Sequence, residues 1–311
     1  MKHLDSLFRL NGEDCRDILR LTGQAKQLWK QGERPHLLAG KMLTLVFEKP
    51  SLRTRVSFES AVAHLGGSSL FLTRTDAGLD GRESEADIAR VLGSYSDWIV
   101  TRTFSHRLVE TFVEHSGCRV INGLSDAAHP CQALSDLFTM QEVLGSLAGK
   151  RLAYVGDGNN VARSLALAAA LTGVKFSIAA PQAYQLTADY VASVQRHVPG
   201  ASISQTVDPG EAVAAADVVY TDVWASMGQE AEREQRQEAF ASYQVNAELM
   251  RKAPPSTRFM HCLPARRNLE VTDEVLDGPQ SIALHQAENR MHVAKGILLW
   301  LQGVETVRST P

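Results

Sequence analysis

Three short stretches of this chain carry the side chains that could do chemistry. Ser51-Leu52-Arg53-Thr54-Arg55 sets hydroxyl donors beside two guanidinium forks, a combination suited to a phosphate-like anion. His129-Pro130-Cys131-Gln132 holds a His and a Gln that can both donate to a carbonyl oxygen as it becomes tetrahedral. Far downstream, His261-Cys262-Leu263-Pro264 brings a thiol, and Arg102 closes another apolar run. Each cluster sits where a predicted strand gives way to a helix or loop. An open α/β sheet places its active site at the carboxyl ends of its strands, so stretches distant in sequence can converge on one pocket. Together they indicate an enzyme that grips a small, strongly anionic substrate.

The elements that must position these groups alternate in type. Apolar, β-rich runs predict strands over 42–47, 69–72, 98–101 and 119–121, then over 151–155, 175–179, 201–205, 217–220 and 258–262. Helical periodicity lies between them, for example at Val56, Ala61 and Leu65 and along 162–171. The expected fold class is α/β: two doubly wound parallel-sheet domains joined by long interdomain helices. The longest inter-strand helix, 130–144, ends at Gly145 and a polar turn, which places the domain boundary there. The reading is a first domain over 1–145, a second over 146–285, and a C-terminal helix over 286–311 packing back on the first.

Composition narrows the function classes. At 311 residues the chain suits two domains of ordinary size. A formal charge of −3 argues against broad binding to nucleic acid or an anionic membrane, so any anion site must be a local cluster of arginines. Cys15, Cys118, Cys131 and Cys262 are scattered without metal-like spacing, which predicts neither a disulfide framework nor a metal site. The first residues lack an apolar signal core, and no apolar run approaches the ~20 residues of a membrane span. A cytoplasmic location is the expectation.

Ser51 suits the N-cap of a helix ending at Gly66-Gly67, and a helix N-terminus is a natural seat for phosphate. Read alone, the stretch also fits a capped helix with two solvated arginines. Over 47–55, however, Phe-Glu-Lys-Pro-Ser-Leu-Arg-Thr-Arg resembles the carbamoyl-phosphate signature of the aspartate/ornithine carbamoyltransferase family, with Leu52 where that family usually has Thr or Gly. His129-Pro130-Cys131-Gln132 resembles its carbamoyl-binding motif, and Arg102 its companion arginine. The resemblance implies a carbamoyl-phosphate site of Ser51, Leu52, Arg53, Thr54, Arg102, His129, Gln132 and Arg290.

In the second half, Gly156-Asp157-Gly158-Asn159-Asn160-Val161 after a strand resembles a dinucleotide-binding turn. Val161 stands where that fingerprint needs a small residue, and the next strand lacks its acidic partner, so an oxidoreductase is the rival reading. Asn159 and Asn160 suit an amino-acid carboxylate, and Asp222 an α-ammonium group. From Asp222 to Gly228 the chain resembles the ornithine-specific loop of one branch of the family. That implies ornithine contacts at Asn160, Asp222, Ser226, Met227, Cys262 and Leu263. It also implies transfer from carbamoyl phosphate to L-ornithine without a covalent intermediate, cofactor or metal, in a homotrimer or a multiple of trimers. Two departures qualify this. A Gln that often reaches a neighbouring subunit's phosphate is missing near Gly78, where Arg82 could substitute. Arg266-Arg267-Asn268 is similar to relatives that use N-acylornithine, which keeps that acceptor as an alternative beside a catalytically silent homologue.

Overall fold

The computed structural model describes residues 1–225 and 230–308. The chain forms two compact units, Met1–Phe138 with Glu288–Pro311, and Thr139–Ala287.

In the first unit, α1 (Gly12–Lys30) precedes β1 (Met42–Phe47), α2 (Leu52–His64), β2 (Ser68–Thr73), α3 (Glu85–Tyr95), β3 (Trp98–Arg102), α4 (His106–His115), β4 (Arg119–Leu124) and α5 (Pro130–Leu144). The strands make one parallel sheet in the order β2-β1-β3-β4. β1 and β3 are almost wholly buried, as strands covered on both faces must be. Strand order reverses between β1 and β3, and loops leaving such a switch point open a crevice. Phe47 pairs with Arg102 across it, so the loop after β1 and the end of β3 leave the sheet together.

The second unit runs β5 (Arg151–Val155), α6 (Asn160–Thr172), β6 (Lys175–Ala179), α7 (Ala188–His197), β7 (Ile203–Thr206), α8 (Pro209–Val213), β8 (Val218–Thr221), α9 (Arg233–Phe240), α10 (Ala247–Lys252), β9 (Arg258–His261) and α11 (Asp273–Leu276). Its sheet, also parallel, has the order β7-β6-β5-β8-β9. The reversal here lies between β5 and β8. α12 (Ala283–Gln302) returns the chain to the first unit, and the division between units falls inside α5 and inside α12.

The expected elements are present with shifted ends. β4 continues to Leu124, beyond the predicted 121. β9 stops at His261 because Leu263 turns into the left-handed region, φ 56°. α12 begins at Ala283, ahead of the expected 286, so Glu288, Asn289 and Arg290 lie in its second turn. The extra turn carries Leu284, which is exposed and breaks the apolar stripe. No described helix is long and apolar enough to cross a membrane.

Close packing of α3 on α4 depends on Gly93. A Cβ there would lie 1.7 Å from the Ser116 carbonyl oxygen, a backbone atom that cannot step aside. Helix propensity alone would favour alanine by about 1 kcal/mol, but overpacking costs roughly 1–3 kcal/mol or more. Gly93→Ala is therefore expected to lower the urea midpoint; an unchanged or raised midpoint would contradict this packing.

Candidate active site

The anion cluster of the first unit is assembled from four elements. Ser51 caps α2, its hydroxyl accepting the Thr54 N–H at 3.2 Å. That turn presents the positive end of the helix dipole at the switch point. Leu52 is 75% exposed, whereas Thr54, Arg102, His129, Gln132 and Arg290 are all buried. Arg102 Nη1 and Arg290 Nη2 each reach the Thr54 hydroxyl at 3.4 Å. Arg290 Nη1 donates to Gln132 Oε1 and lies 3.4 Å from His129 Nε2. Gln132 in turn donates to Asp136 Oδ1 at 2.7 Å. Both ends of its amide are thus engaged, one as the anchor of Arg290.

Electrostatics set the protonation states. Burial, then Arg290 and Arg53, pull Arg102 down to about 10, so it remains a cation at neutral pH. Its Nε is buried without a hydrogen-bond partner among the described residues. Burial, then Arg290 and Arg102, push His129 well below the usual imidazole value, and at neutral pH the ring is uncharged. Cys131 donates to the Asn122 carbonyl at 3.3 Å and burial raises its thiol to about 12. It stays protonated, and a thiol in that state is a poor nucleophile.

In the second unit, sheet register does the assembling. Val155 pairs with Thr221, and Thr221 with His261, so the residues that follow leave three adjacent strands side by side. The Cys262 thiol donates to Asp222 Oδ1 at 2.9 Å, and Asn159 Nδ2 donates to Asp222 Oδ2 at 3.1 Å. Asn159 Oδ1 caps α6, accepting from Val161 and Ala162. Asn159 is therefore committed to the aspartate and the helix, while Asn160, half-buried, is the first residue of α6. Arg236 pairs with Asp157 at 2.7 Å and donates to the Trp224 carbonyl at 3.2 Å, fixing the chain just before 226–229. Ser226 and Met227 lie outside the described residues.

The apparent dinucleotide turn has another explanation. A Cβ at Gly158 would come within 2.8 Å of the Tyr184 carbonyl oxygen, so that glycine serves close packing of the loop over 184–186. Arg267 is held by Asp273 and Asp277 at 2.5–2.9 Å, and Asn268 by Asp273. Arg82 is exposed on a turn. Asp222, His261 and Cys262 bring potential metal-ligand atoms within 4.8 Å of one another. His261 already spends Nδ1 on the Leu263 N–H and Nε2 on Glu270, so a cation there must displace one of these.

Two family models match the two parts of the chain. The aspartate/ornithine carbamoyltransferase carbamoyl-P binding domain covers residues 2–142, and the Asp/Orn binding domain of the same family covers 148–301. The chain belongs to the aspartate/ornithine carbamoyltransferase family. It is similar to an ornithine carbamoyltransferase of Bacillus subtilis, 48% identical over 96% of this chain and 92% of that one. It is also 47% identical to an anabolic ornithine carbamoyltransferase of Pyrococcus furiosus, over 91% of this chain and 90% of the relative. A solved ornithine carbamoyltransferase from P. furiosus superposes with a TM-score of 0.94 at 45% identity, covering 97% of each chain. Like other members of its family, this chain is a carbamoyltransferase.

Several structuring residues carry no signal that the sequence reading caught. Asp136 sits one helical turn after Gln132, a spacing that could have revealed it. Arg236 also shows an i,i+4 spacing to Glu232, but its pairing with Asp157, like that of Glu270 with His261, depends on folding that no helical spacing marks.

His129 and His292, which burial, then Lys295 and Lys26, pull down to about 3, predict a pH dependence. Both rings bind protons less readily folded than unfolded. Below about pH 6.5 the unfolded chain takes up protons that the folded chain refuses, so stability falls with pH. Urea unfolding should show this decline between about pH 7 and 5, and His292→Asn should make it shallower. An identical slope in the variant would contradict the assignment.

Proposed function

We propose that this chain transfers the carbamoyl group of carbamoyl phosphate to the δ-nitrogen of L-ornithine, giving L-citrulline and phosphate. The observation that carries the reading is Arg102: a buried guanidinium whose charge is disfavoured by burial and by two further guanidiniums, Arg290 and Arg53. A dianionic acyl phosphate turns that repulsion into attraction.

Each role follows from the chemistry. Ser51, Arg53, Thr54 and Arg102 hold the phosphate and neutralise the oxygen that leaves. Leu52, with its side chain in solvent, contributes only its backbone N–H. Arg102, Arg290 and neutral His129 polarise the carbonyl, and Gln132 keeps Arg290 in place. Asp222 takes the α-ammonium group and Asn160, Ser226 and Met227 the rest of the amino-acid end, while Cys262 and Leu263 orient the δ-amine. That amine loses one proton before it attacks. The new C–N bond forms, the C–O bond to phosphate breaks, and phosphate leaves with the electron pair and a proton from the nitrogen. Positioning and preorganised charge supply the acceleration. The relatives named above as ornithine carbamoyltransferases support this acceptor.

The same reading extends to assembly. Edge strand β2 exposes Leu70, and α2 exposes Leu52 and Val56, an apolar face suited to other copies of the chain. The proposed assembly is a cytoplasmic homotrimer or a multiple of it, with Arg82 reaching a neighbour's phosphate.

Losing one charge-assisted contact worth about 1.5–3 kcal/mol should weaken carbamoyl-phosphate binding by roughly tenfold or more. Arg53→Ala is expected to show this in a binding isotherm, and unchanged affinity would remove Arg53 from the site. For the acceptor, a citrulline assay should favour L-ornithine strongly over N-acetylornithine and N-succinylornithine, because acylation removes the ammonium that Asp222 needs. Equal or higher kcat/KM with an N-acyl acceptor would overturn the assignment.

A further inference from the structure

His261 and Glu270 are completely buried in the second unit, and none of the roles above uses them. The Leu263 N–H donates to His261 Nδ1 at 2.9 Å, and Nε2 lies 3.2 Å from Glu270 Oε1. A ring nitrogen that accepts carries no proton, so the proton sits on Nε2 and points at the carboxylate. The same Oε1 accepts the Arg266 N–H at 2.5 Å. On the strand side, the His261 N–H donates to Gln286 Oε1 at 2.9 Å, and Gln286 donates to the Tyr220 hydroxyl at 3.2 Å. Residues on both sides of Cys262 are thereby pinned.

Leu263 needs that restraint. Its φ of 56° lies in the left-handed region, which a Leu side chain disfavours and occupies only where its surroundings hold it. The acceptor that holds its N–H is His261 Nδ1. With Nδ1 protonated, two donors would face each other and the turn would relax. Cys262, between the two, keeps its thiol on Asp222 only while the turn stays in place.

We propose that His261 and Glu270 form a positioning pair for the acceptor half of the site. Glu270 fixes the Nε2–H tautomer, the bare Nδ1 anchors Leu263, and the turn so formed keeps Cys262 on Asp222. Neither residue touches reacting atoms. The proposal rests on the functional reading above for the acceptor's identity.

The alternative is a plain core ion pair whose loss only destabilises the unit. Two substitutions separate them. An Asn side chain brings an amide oxygen close to the Nδ1 position and can accept the Leu263 N–H. A Gln side chain reaches the Nε2 position, satisfies Glu270 and leaves the Leu263 N–H without its acceptor. In the full-length enzyme, His261→Gln should raise KM for ornithine by about tenfold or more, with carbamoyl-phosphate affinity, measured without acceptor, within about twofold of wild type. His261→Asn should recover most of the loss, and Glu270→Gln should fall between. Nitrogen-15 NMR of the substrate-free wild-type protein should show the Nε2–H tautomer at His261, a readout independent of whether any variant folds.

Equal losses in the Asn and Gln variants that track their melting temperatures would overturn the proposal. So would a parallel loss of carbamoyl-phosphate affinity, or an Nδ1–H ring in the wild type. A wild-type protein that fails to carbamoylate ornithine overturns the functional reading instead, and the tautomer still decides the positioning pair.

Discussion

Three guanidinium groups gathered at one switch point repel one another, and much of the first unit is arranged to bear that repulsion. Arg102 is fixed because it ends a buried strand and reaches the Thr54 hydroxyl. Arg290 is fixed through Gln132, which Asp136 steadies from the next turn of α5. His129 stays neutral because burial, and then the charges of Arg290 and Arg102, disfavour a further positive charge. In the proposed function such a site is prepared before its ligand arrives, and the repulsion among the guanidiniums would favour binding of a dianion.

Pairing register plays the corresponding part in the second unit. Thr221 opposite His261 is what makes Asp222 and Cys262 neighbours, and Val155 opposite Thr221 brings in the turn that carries Asn159. A slip of one residue would turn those side chains toward opposite faces. Both sheets thus apply one rule: polar residues just past a switch point meet, however far apart they lie in sequence.

Local order is legible in the sequence wherever local forces decide it. Ser51 reads as an N-cap because a hydroxyl before an apolar-periodic run has few better uses, and the cap is there. Pro130 and Gly145 bracket a helix whose limits match the reading. What sequence could not supply are commitments made across the fold. Asn159 reads as a donor for a ligand carboxylate, yet its amide is spent on Asp222 and on α6. The glycines at 156 and 158 read as a dinucleotide turn, because a positive φ, as at Gly156, and close approach to another loop, as at Gly158, require the same residue that a pyrophosphate does. The sequence starts the last helix at 286 although it begins at Ala283, since an exposed Leu284 hides the helix's true beginning from any periodicity test.

The two halves differ most in the sign of what they leave uncompensated. The charges that bear on Arg102 are those of Arg290 and Arg53, both positive. Around Asp222 the hydrogen bonds among the described residues come from the Cys262 thiol, the Asn159 amide and the Val223 N–H. Two arginines of the same unit are committed to other carboxylates, Arg236 to Asp157 and Arg267 to Asp273 and Asp277. A carboxylate held by neutral donors keeps its charge available to a ligand, and the natural complement is an ammonium group. A net charge of −3 on the whole chain therefore conceals a local division of sign. In the proposed function the first unit holds the anionic donor and the second the ammonium group of the acceptor.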